Sequence, residues 1–445
     1  MNRVDKDFWK YISLGILGMI GSAGTILTDA FFASDRLGSN GLAAMNLAMC
    51  VFGLMNGTGL LFGIGGATRF TIFKSREKHQ NANSAFTLSF FAAEAVGLIY
   101  ALIGLLFSRP LSVFLGADAS TFTMCNTYLK TVLCFAPAFV LNHLLMAFVR
   151  NDGDPNRSMS AMFLGSISNI ILDYVFMYPL DMGIFGAALA TGIAALIGIS
   201  ISASHFLSVR NQLRFVHIKS ANPAEIFQII SAGLASFITE FSSGIVLVIF
   251  NLLILNSAGT IAVAAYGVVA NLALMILAIM SGISHGIQPL ISKLYGAGRH
   301  ADAKKLYHKG IRLTCFIGLA TFSPVFLFSP NLVQCFNGER NPQLQQLAET
   351  GMRLYFLGFL FAGCNHLTAA YFSAAEKPGQ AFIVALFRGL IGISAAACLL
   401  SALWGMTGIW LAFPLTEAIT LFLCLLFNGV HALNRCGRLS FKLSG

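Results

Sequence analysis

The sequence predicts an all-α integral membrane protein with twelve transmembrane helices in two six-helix lobes. Composition, twelve long apolar stretches and an internal repeat predict this class. Of the 445 residues, 56% are hydrophobic and only 10% are charged, and the mean hydropathy is +0.76. A soluble domain has about a quarter charged residues and could not bury this much apolar side chain. The nine cysteines form no CxxC pair and no metal-like spacing, so we expect no metal site.

Twelve apolar stretches are long enough to cross a bilayer, for which a helix needs about 20 residues. They lie at 11–34, 41–70, 84–107, 121–148, 158–178, 185–208, 226–255, 261–291, 311–329, 344–372, 380–402 and 408–433. Each stretch is continuously apolar, which excludes the alternating pattern of barrel strands. The first is too long for a cleaved signal peptide and carries Asp29.

Basic residues predict the orientation in the membrane. With loops assigned alternately to two sides, 23 of the 28 Lys and Arg residues fall on the side of the N-terminus. The other five are Arg36, Arg109, Lys130, Arg340 and Arg353. The positive-inside rule then places both termini in the cytoplasm of a multi-pass protein of the plasma membrane. The net charge of +10 therefore reflects topology, and we expect no nucleic-acid partner.

The two halves of the chain resemble each other at an offset of 222–223 residues. Asn142-His143 matches Asn365-His366, and Pro155 matches Pro378. The longest polar stretch, 209–224, divides the chain into an N-lobe (1–208), a linker (209–224) and a C-lobe (225–445). An even number of spans in each half makes this a parallel repeat, the arrangement of alternating-access transporters.

The energy source must lie outside the chain. No GxxxxGK[ST] sequence and no soluble domain are present, which excludes an ATP-driven pump. We expect a secondary transporter, not an enzyme, with no cofactor and with H⁺ or Na⁺ as the coupling ion.

Five carboxylates lie inside predicted spans, where each costs about 2.5–3.5 kcal/mol to insert in its charged form. They are Asp29, Glu94, Asp173, Glu240 and Glu417. The repeat offsets place apolar residues opposite four of them, for example Leu252 for Asp29 and Ala396 for Asp173. The scaffold therefore does not require these acids, which favours a functional role.

Asn169 lies one helical turn before Asp173, so the two share a helix face. An amide beside a carboxylate can donate a hydrogen bond and help it hold a proton or a cation. A helix–helix hydrogen bond is the alternative for Asp173, and an interfacial position is the alternative for Asp29.

Four further residues are candidates for the substrate cavity: Glu240, Glu417, His143 and His366. Glu240 and Glu417 could attract cationic ligands or be structural. His143 and His366 occupy equivalent places, which favours a packing hydrogen bond made twice over a pH-sensitive pair.

At these residues the sequence resembles the multidrug and toxic compound extrusion (MATE) transporters. The most specific stretch is RNDGDPNRSMSAMFLGSISNIILDYVFMYPLDMGIFGAALATGIA, 150–194. The resemblance covers nearly the whole chain and implies twelve helices in two lobes. For the DinF-like branch it implies a cation-coupling site in the N-lobe. Carried over by motif, that site comprises Asp29, Tyr128, Asn169, Asp173 and Thr191.

The resemblance implies export of amphipathic, often cationic, organic compounds by H⁺ or Na⁺ antiport. A lipid or lipid-linked-precursor flippase on a similar scaffold is the alternative. A phosphate headgroup would need several bases in the cavity, whereas few lie in the predicted spans. A cavity between the chain's own lobes requires no oligomer, so we expect a monomer.

Overall fold

The computed structural model describes residues 3–217, 223–337 and 341–442, and all regular structure within these ranges is helical. The helices are α1 (Arg3–Ser75), α2 (His79–Phe114), α3 (Phe122–Cys134), α4 (Ala136–Asn151), α5 (Pro155–Met177), α6 (Gly183–Ala203), α7 (Pro223–Gly296), α8 (His300–Phe336), α9 (Pro342–Tyr355), α10 (Phe359–Ala374), α11 (Pro378–Leu386) and α12 (Gly392–Lys442). Short 3₁₀ turns lie at Ser204–Leu207 and Phe356–Gly358, and a π turn lies at Phe387–Ile391. The predicted all-α class is confirmed.

Three of the long helices each contain two spans. A glycine with positive φ breaks α1 at Gly38, α7 at Gly259 and α12 at Gly405. Within the described ranges, seven helices are long and apolar enough to cross a membrane, or eight with the bent pair α3–α4. Splitting three of them at these glycines and adding α9–α10 gives twelve segments, which coincide with the predicted spans.

The internal repeat is visible in the backbone. Most residues with positive φ recur in the second half at nearly the predicted offset. The pairs and their separations are Gly38 and Gly259 (221), Glu77 and Gly298 (221), Gly153 and Glu376 (223), and Gly183 and Gly405 (222). A left-handed residue ends a helix or turns the chain sharply, so the two halves turn at the same places.

Spans four and ten are each broken midway, a feature that their continuous apolar pattern does not predict. Helices α3 and α4 meet at Phe135 with a bend of 50°. Pro137, in the first turn of α4, lacks an N–H and cannot continue the hydrogen-bond ladder of α3. The 3₁₀ turn Phe356–Gly358 interrupts the equivalent place between α9 and α10.

The outward helix faces are apolar, as a bilayer requires. On α2, Leu98, Leu102 and Leu106 are 57%, 56% and 70% exposed. Such a continuous apolar surface is unusual for a soluble monomer. It supports the assignment of these helices to the membrane.

Helices α1 and α7 pack closely and join the two halves. A Cβ at Gly15 would collide with the backbone of Gly282, so these helices approach as near as small residues permit. We call the membrane side on which α1 both begins and ends the terminal face. There Arg69 of α1 and Arg76, which directly follows α1, contact Glu376 at 3.0 and 2.6 Å.

The predicted linker 209–224 lies only partly within the described residues. From Ser208 to His217 the chain is irregular, and the Gln212 amide donates to Asp152 at 2.8 Å. Residues 218–222 lie outside the described ranges, so the predicted lobe boundaries remain a prediction.

Candidate cation site and central cavity

Helix α5 places Asn169 and Asp173 on its buried face. The Asp154 side chain caps the helix by accepting from the Arg157 amide at 3.3 Å, and Pro155 occupies the first turn. The buried residues Gly165, Asn169, Asp173 and Met177 then follow at four-residue spacing. This spacing keeps both polar side chains on one stripe that faces the protein interior.

Helix α1 lies against that stripe. Gly18 packs against Met159, and Gly21 packs against Phe163. One turn further, the Thr25 hydroxyl approaches the Ser166 carbonyl at 3.5 Å. The next turn brings Asp29 to Asp173.

The carboxyl groups of Asp29 and Asp173 lie close enough to each other for a hydrogen bond. Two ionised carboxylates can only accept, so a hydrogen bond between them needs one shared proton. The Asn169 amide donates to Asp173 Oδ2 at 3.1 Å. The Oδ1 atoms of Asp29, Asn169 and Asp173 are buried and have no hydrogen-bond partner among the described residues. Three such oxygens make a site that can hold a proton or a small cation.

Tyr128 belongs to this neighbourhood, whereas the Thr191 hydroxyl bonds elsewhere. Tyr128 is 7% exposed and lies close enough to Asp29 and Asp173 for an electrostatic interaction with both carboxyl groups. The Thr191 hydroxyl donates to the Ala187 carbonyl of its own helix at 2.9 Å. The structure thus brings Asp29, Tyr128, Asn169 and Asp173 together, and the coupling role of all five predicted residues stays a prediction.

A central cavity lies between the two halves, with a volume of about 60 Å³. Its lining includes Leu60 of α1, Glu240 and His285 of α7, His366 of α10 and Arg388 of the π turn. Of the four predicted cavity residues, Glu240 and His366 therefore line it.

Glu417 and His143 lie elsewhere. Glu417 is 2% exposed and forms an ion pair with Arg388, whose Nε and Nη2 lie 3.0 and 2.9 Å from Oε1. Asn365 Nδ2 donates to Glu417 Oε2 at 2.7 Å. His143 Nε2 lies 3.2 Å from Asn56 Oδ1 and is not among the cavity-lining residues. Neither residue is among those that line the cavity in this structure, and a role of either in binding substrate stays a prediction.

The pairing of Arg388 with Glu417 was missed by sequence reasoning. The available signal was their joint absence from the other half, where Gly165 and Ala195 occupy the equivalent positions. The π turn Phe387–Ile391 carries Arg388, and such turns are frequent at functional sites. Because Glu417 balances Arg388, the described lining residues of the cavity offer no group of unpaired basic side chains, which a phosphate headgroup would need.

Arg150, the base that begins the 150–194 stretch, is buried and not solvated. Its side chain is 4% exposed at the end of α4, and Nη2 lies 3.4 Å from His285 Nδ1. The Arg150 guanidinium therefore contacts His285, one of the residues that line the cavity.

The MatE family model matches residues 16–175 and 234–398. The chain belongs to the MatE family. Multidrug export protein MepA of Staphylococcus aureus (strain NCTC 8325 / PS 47) is 27% identical over 400 residues, covering 88% of this chain and 86% of MepA. MepA of Staphylococcus haemolyticus is 26% identical over 414 residues, covering 92% and 90%.

Solved structures share the MATE fold along almost the entire chain. An outward-facing multidrug resistance MATE family transporter matches with a TM-score of 0.90 at 21% identity, covering 98% of this chain and 97% of that one. A MOP superfamily transporter from Pyrococcus furiosus, described as having a binding pocket of reverse polarity, matches with a TM-score of 0.88 at 20% identity, covering 97% and 96%. The protein is thus a MATE-fold membrane transporter and not an enzyme.

Proposed function

We propose that this chain is a secondary multidrug efflux transporter that exports amphipathic, often cationic, organic compounds by antiport against H⁺ or Na⁺. The names of the curated MatE relatives support multidrug export. The observation that carries the antiport is the buried contact between Asp29 and Asp173, which no base accompanies among the described ion pairs. A carboxyl pair without a fixed counter-charge can gain and lose a cation.

The carboxyl contact favours H⁺ over Na⁺ as the coupling ion. A hydrogen bond between two carboxyl groups exists only while one of them holds a proton. Loss of that proton leaves two like charges in contact, which is costly at low dielectric. Separation of α1 from α5 relieves this repulsion, so ion occupancy biases the position of α1.

Alternating access follows from the way the two halves meet. The hydrogen bonds between them cluster at the terminal face, where Gln288 contacts Thr68 at 2.7 Å and Asn151 at 3.2 Å. A bound ion drives transport only if it favours one arrangement of the halves over the other. The halves are the predicted lobes 1–208 and 225–445, and the terminal face is the cytoplasmic face of the plasma membrane. The protein works as a monomer.

Purified protein in proteoliposomes tests the coupling assignment. Ethidium transport driven by an imposed pH gradient should fall to the rate of empty vesicles in Asp29→Asn and in Asp173→Asn. Asp181→Asn is the matched control, since Asp181 lies on an outer turn with its side chain 83% exposed. This control should transport normally. If both site variants still accumulate dye on the gradient, the coupling assignment is wrong.

The same vesicles distinguish the two ions. Wild-type efflux should follow a pH gradient at constant Na⁺. Efflux that follows only a Na⁺ gradient would replace the shared proton by a bound Na⁺ ion at the same oxygens.

A further inference from the structure

Two cysteines of the second half lie in contact, apart from the acid pair and from the central cavity. Cys315 Sγ of α8 lies 3.4 Å from Cys364 Sγ of α10, and both thiols are free. The Thr314 hydroxyl lies 3.6 Å from the same Cys364 sulfur. Neither cysteine is among the described residues that line the cavity. The contact therefore forms a second cluster of reactive groups.

Small residues bring α8 and α10 together at this place. A Cβ on Gly318 would lie 2.6 Å from the backbone of α10, and a Cβ on Gly363 would lie 3.0 Å from Thr314 Cβ of α8. Small residues permit such close approach of helices in a membrane. Cys315 lies one turn before Gly318, and Cys364 directly follows Gly363. The packing of the two helices therefore holds the two sulfurs in contact.

The shared scaffold does not require this pair. Offsets of 221 for α2 and α8, and of 223 for α4 and α10, place Glu94 opposite Cys315 and Leu141 opposite Cys364. The first half thus packs the equivalent helices without sulfur at either place. The two thiols are particular to the second half, which favours a role other than packing.

The two thiols differ in exposure. Cys364 is buried, whereas Cys315 is exposed on α8 beside Phe316 and Leu319, which are 69% and 56% exposed. An accessible cysteine next to a resolving cysteine is the usual arrangement of a redox-sensitive site. Because the outward face of α8 is apolar, a reagent that dissolves in the bilayer reaches Cys315.

We propose that Cys315 and Cys364 are a redox-active pair, which a lipid-soluble organic hydroperoxide converts to a disulfide between α8 and α10. The Cys315 sulfur attacks the terminal peroxide oxygen, the O–O bond breaks, and an alcohol leaves with the thiol proton. Cys315 is then a sulfenic acid. The Cys364 sulfur attacks the Cys315 sulfur, the S–O bond breaks, and water leaves with the second thiol proton. The two thiols supply the two electrons that reduce one peroxide, and exchange with a free dithiol reverses the oxidation.

The disulfide restrains a helix of the cavity wall. Its sulfurs must approach from 3.4 Å to about 2.0 Å, which draws Cys364 toward α8. The next residue, Asn365, donates to Glu417 of α12 at 2.7 Å, and His366 lines the cavity. The link therefore acts against the contacts of α10 with α12. We expect oxidised protein to transport more slowly than reduced protein.

Peptide mapping tests the pair, because Arg340 and Arg353 lie between the two cysteines and trypsin separates them unless they are linked. Wild-type protein in nanodiscs is treated with cumene hydroperoxide, denatured, alkylated, digested and analysed by mass spectrometry. We expect one linked peptide pair, a loss of two of the nine alkylated thiols, and full recovery with dithiothreitol. Cys315→Ser should form no link. Cys398→Ser, at an exposed cysteine of α12, is the matched control and should behave as the wild type.

Alkylation of all nine thiols after peroxide treatment overturns the proposal, and so does sulfinic or sulfonic acid at Cys315 in place of the link. In proteoliposomes, the peroxide should slow ethidium transport by the wild type but not by Cys315→Ser, and dithiothreitol should restore it. Equal transport by linked and reduced protein would overturn the restraint on α10. Asp29→Asn should form the link normally, since the mapping needs no gradient. This result separates failure of the inference from failure of the coupling proposal.

Discussion

The two halves share a scaffold but treat buried charge in opposite ways. Both carry an Asn-His dipeptide on the span after the midway break, at Asn142-His143 and Asn365-His366. In the second half, Arg388 and Glu417 form an ion pair beside this dipeptide, with Glu417 bonded to Asn365 and Arg388 bonded to His366. In the first half, Gly165 packs beside the Ala194–Ala195 segment at the equivalent place, so both charges are absent together.

The first half instead carries Asp29 and Asp173 in contact, with no base among their described partners. The repeat places Leu252 and Ala396 opposite them. A compensated pair is held in one geometry by its own attraction, whereas two acids without a base repel each other unless a proton or a cation lies between them. The comparison teaches that the two halves kept a common scaffold but diverged in buried charge, with an ion pair in one half and an acid pair without a base in the other.

Breaking the ion pair should produce the largest effect on stability. Glu417→Leu leaves the Arg388 guanidinium buried without its carboxylate and should lower the free energy of unfolding by about 3–5 kcal/mol. Adding Arg388→Met to it removes the stranded charge and should restore most of that loss. Thermal unfolding of both single variants and the double variant in one detergent measures the order.

The expected order is wild type, then the double variant, with both single variants lowest. Additive losses, in which the double variant is the least stable, would show that the two side chains act independently and would contradict the ion pair.

The acid pair should respond in the opposite direction. Asp29→Leu removes a polar group that no base compensates, so the free energy of unfolding should stay unchanged or rise by about 1–2 kcal/mol. Transport driven by an ion gradient should be lost at the same time. Unfolding and ethidium efflux measured on one preparation check both, and a large loss of stability would assign Asp29 to packing.

Much of the fold could be predicted because it depends on local sequence. The length of the apolar stretches predicts the twelve spans, and the constant offset between matching residues predicts the repeat. The spacing of one helical turn between Asn169 and Asp173 predicts that they share a helix face. The sequence predicts that Asp29 and Asp173 lie in spans of the same half. It does not predict their contact, because the distance between two side chains depends on how the helices pack.

The remaining features depend on packing that one sequence does not display. Arg388 and Glu417 are 29 positions apart, and their contact depends on how the π turn that carries Arg388 packs against α12. Arg150 follows an apolar helix and precedes a turn, which is also the pattern of a solvated loop base. Its burial is visible only in the folded protein, where it lies beside His285 of the second half.

A smaller asymmetry lies at the terminal face, where Glu376 occupies the position of Gly153. Glu376 has a φ of 56°, which is strained for a residue with a side chain, and it pairs with Arg69 and Arg76. Glu376→Gly relieves the strain but removes both partly exposed ion pairs, each worth about 0.2–1 kcal/mol. Global stability should change little, while closure of the terminal face should weaken by roughly fivefold.

Spin labels at Gln80 and Ala301, both exposed at helix starts on this face, would report that closure as a distance distribution. Glu376→Gln keeps the strained backbone and serves as the matched control for charge. Identical distributions in wild type and both variants would show that Glu376 does not hold the halves together.

The smallest expected effect concerns the loop before span four and its counterpart before span ten. Asp118 Oδ1 accepts from the backbone and hydroxyl groups of Ser120 and Thr121, and these bonds lower the pKa of Asp118 from 3.8 to about 2. At the equivalent position, 223 residues later, neutral Asn341 caps α9 by accepting from the Gln343 and Leu344 amides.

Because the pKa of Asp118 is lowered on folding, its contribution to loop stability is complete above about pH 3.8 and is lost as the pH falls through about 2. Asp118→Asn gives the first half the neutral cap of the second and should abolish this acid sensitivity with transport unchanged. Carboxyl NMR of ¹³C-labelled aspartate, with Asp118→Asn to assign the signal, should show a midpoint near 2. A midpoint at the ordinary value of 3.8 would mean that the four hydrogen bonds do not stabilise the loop. The stability of this turn would then be independent of pH in both halves.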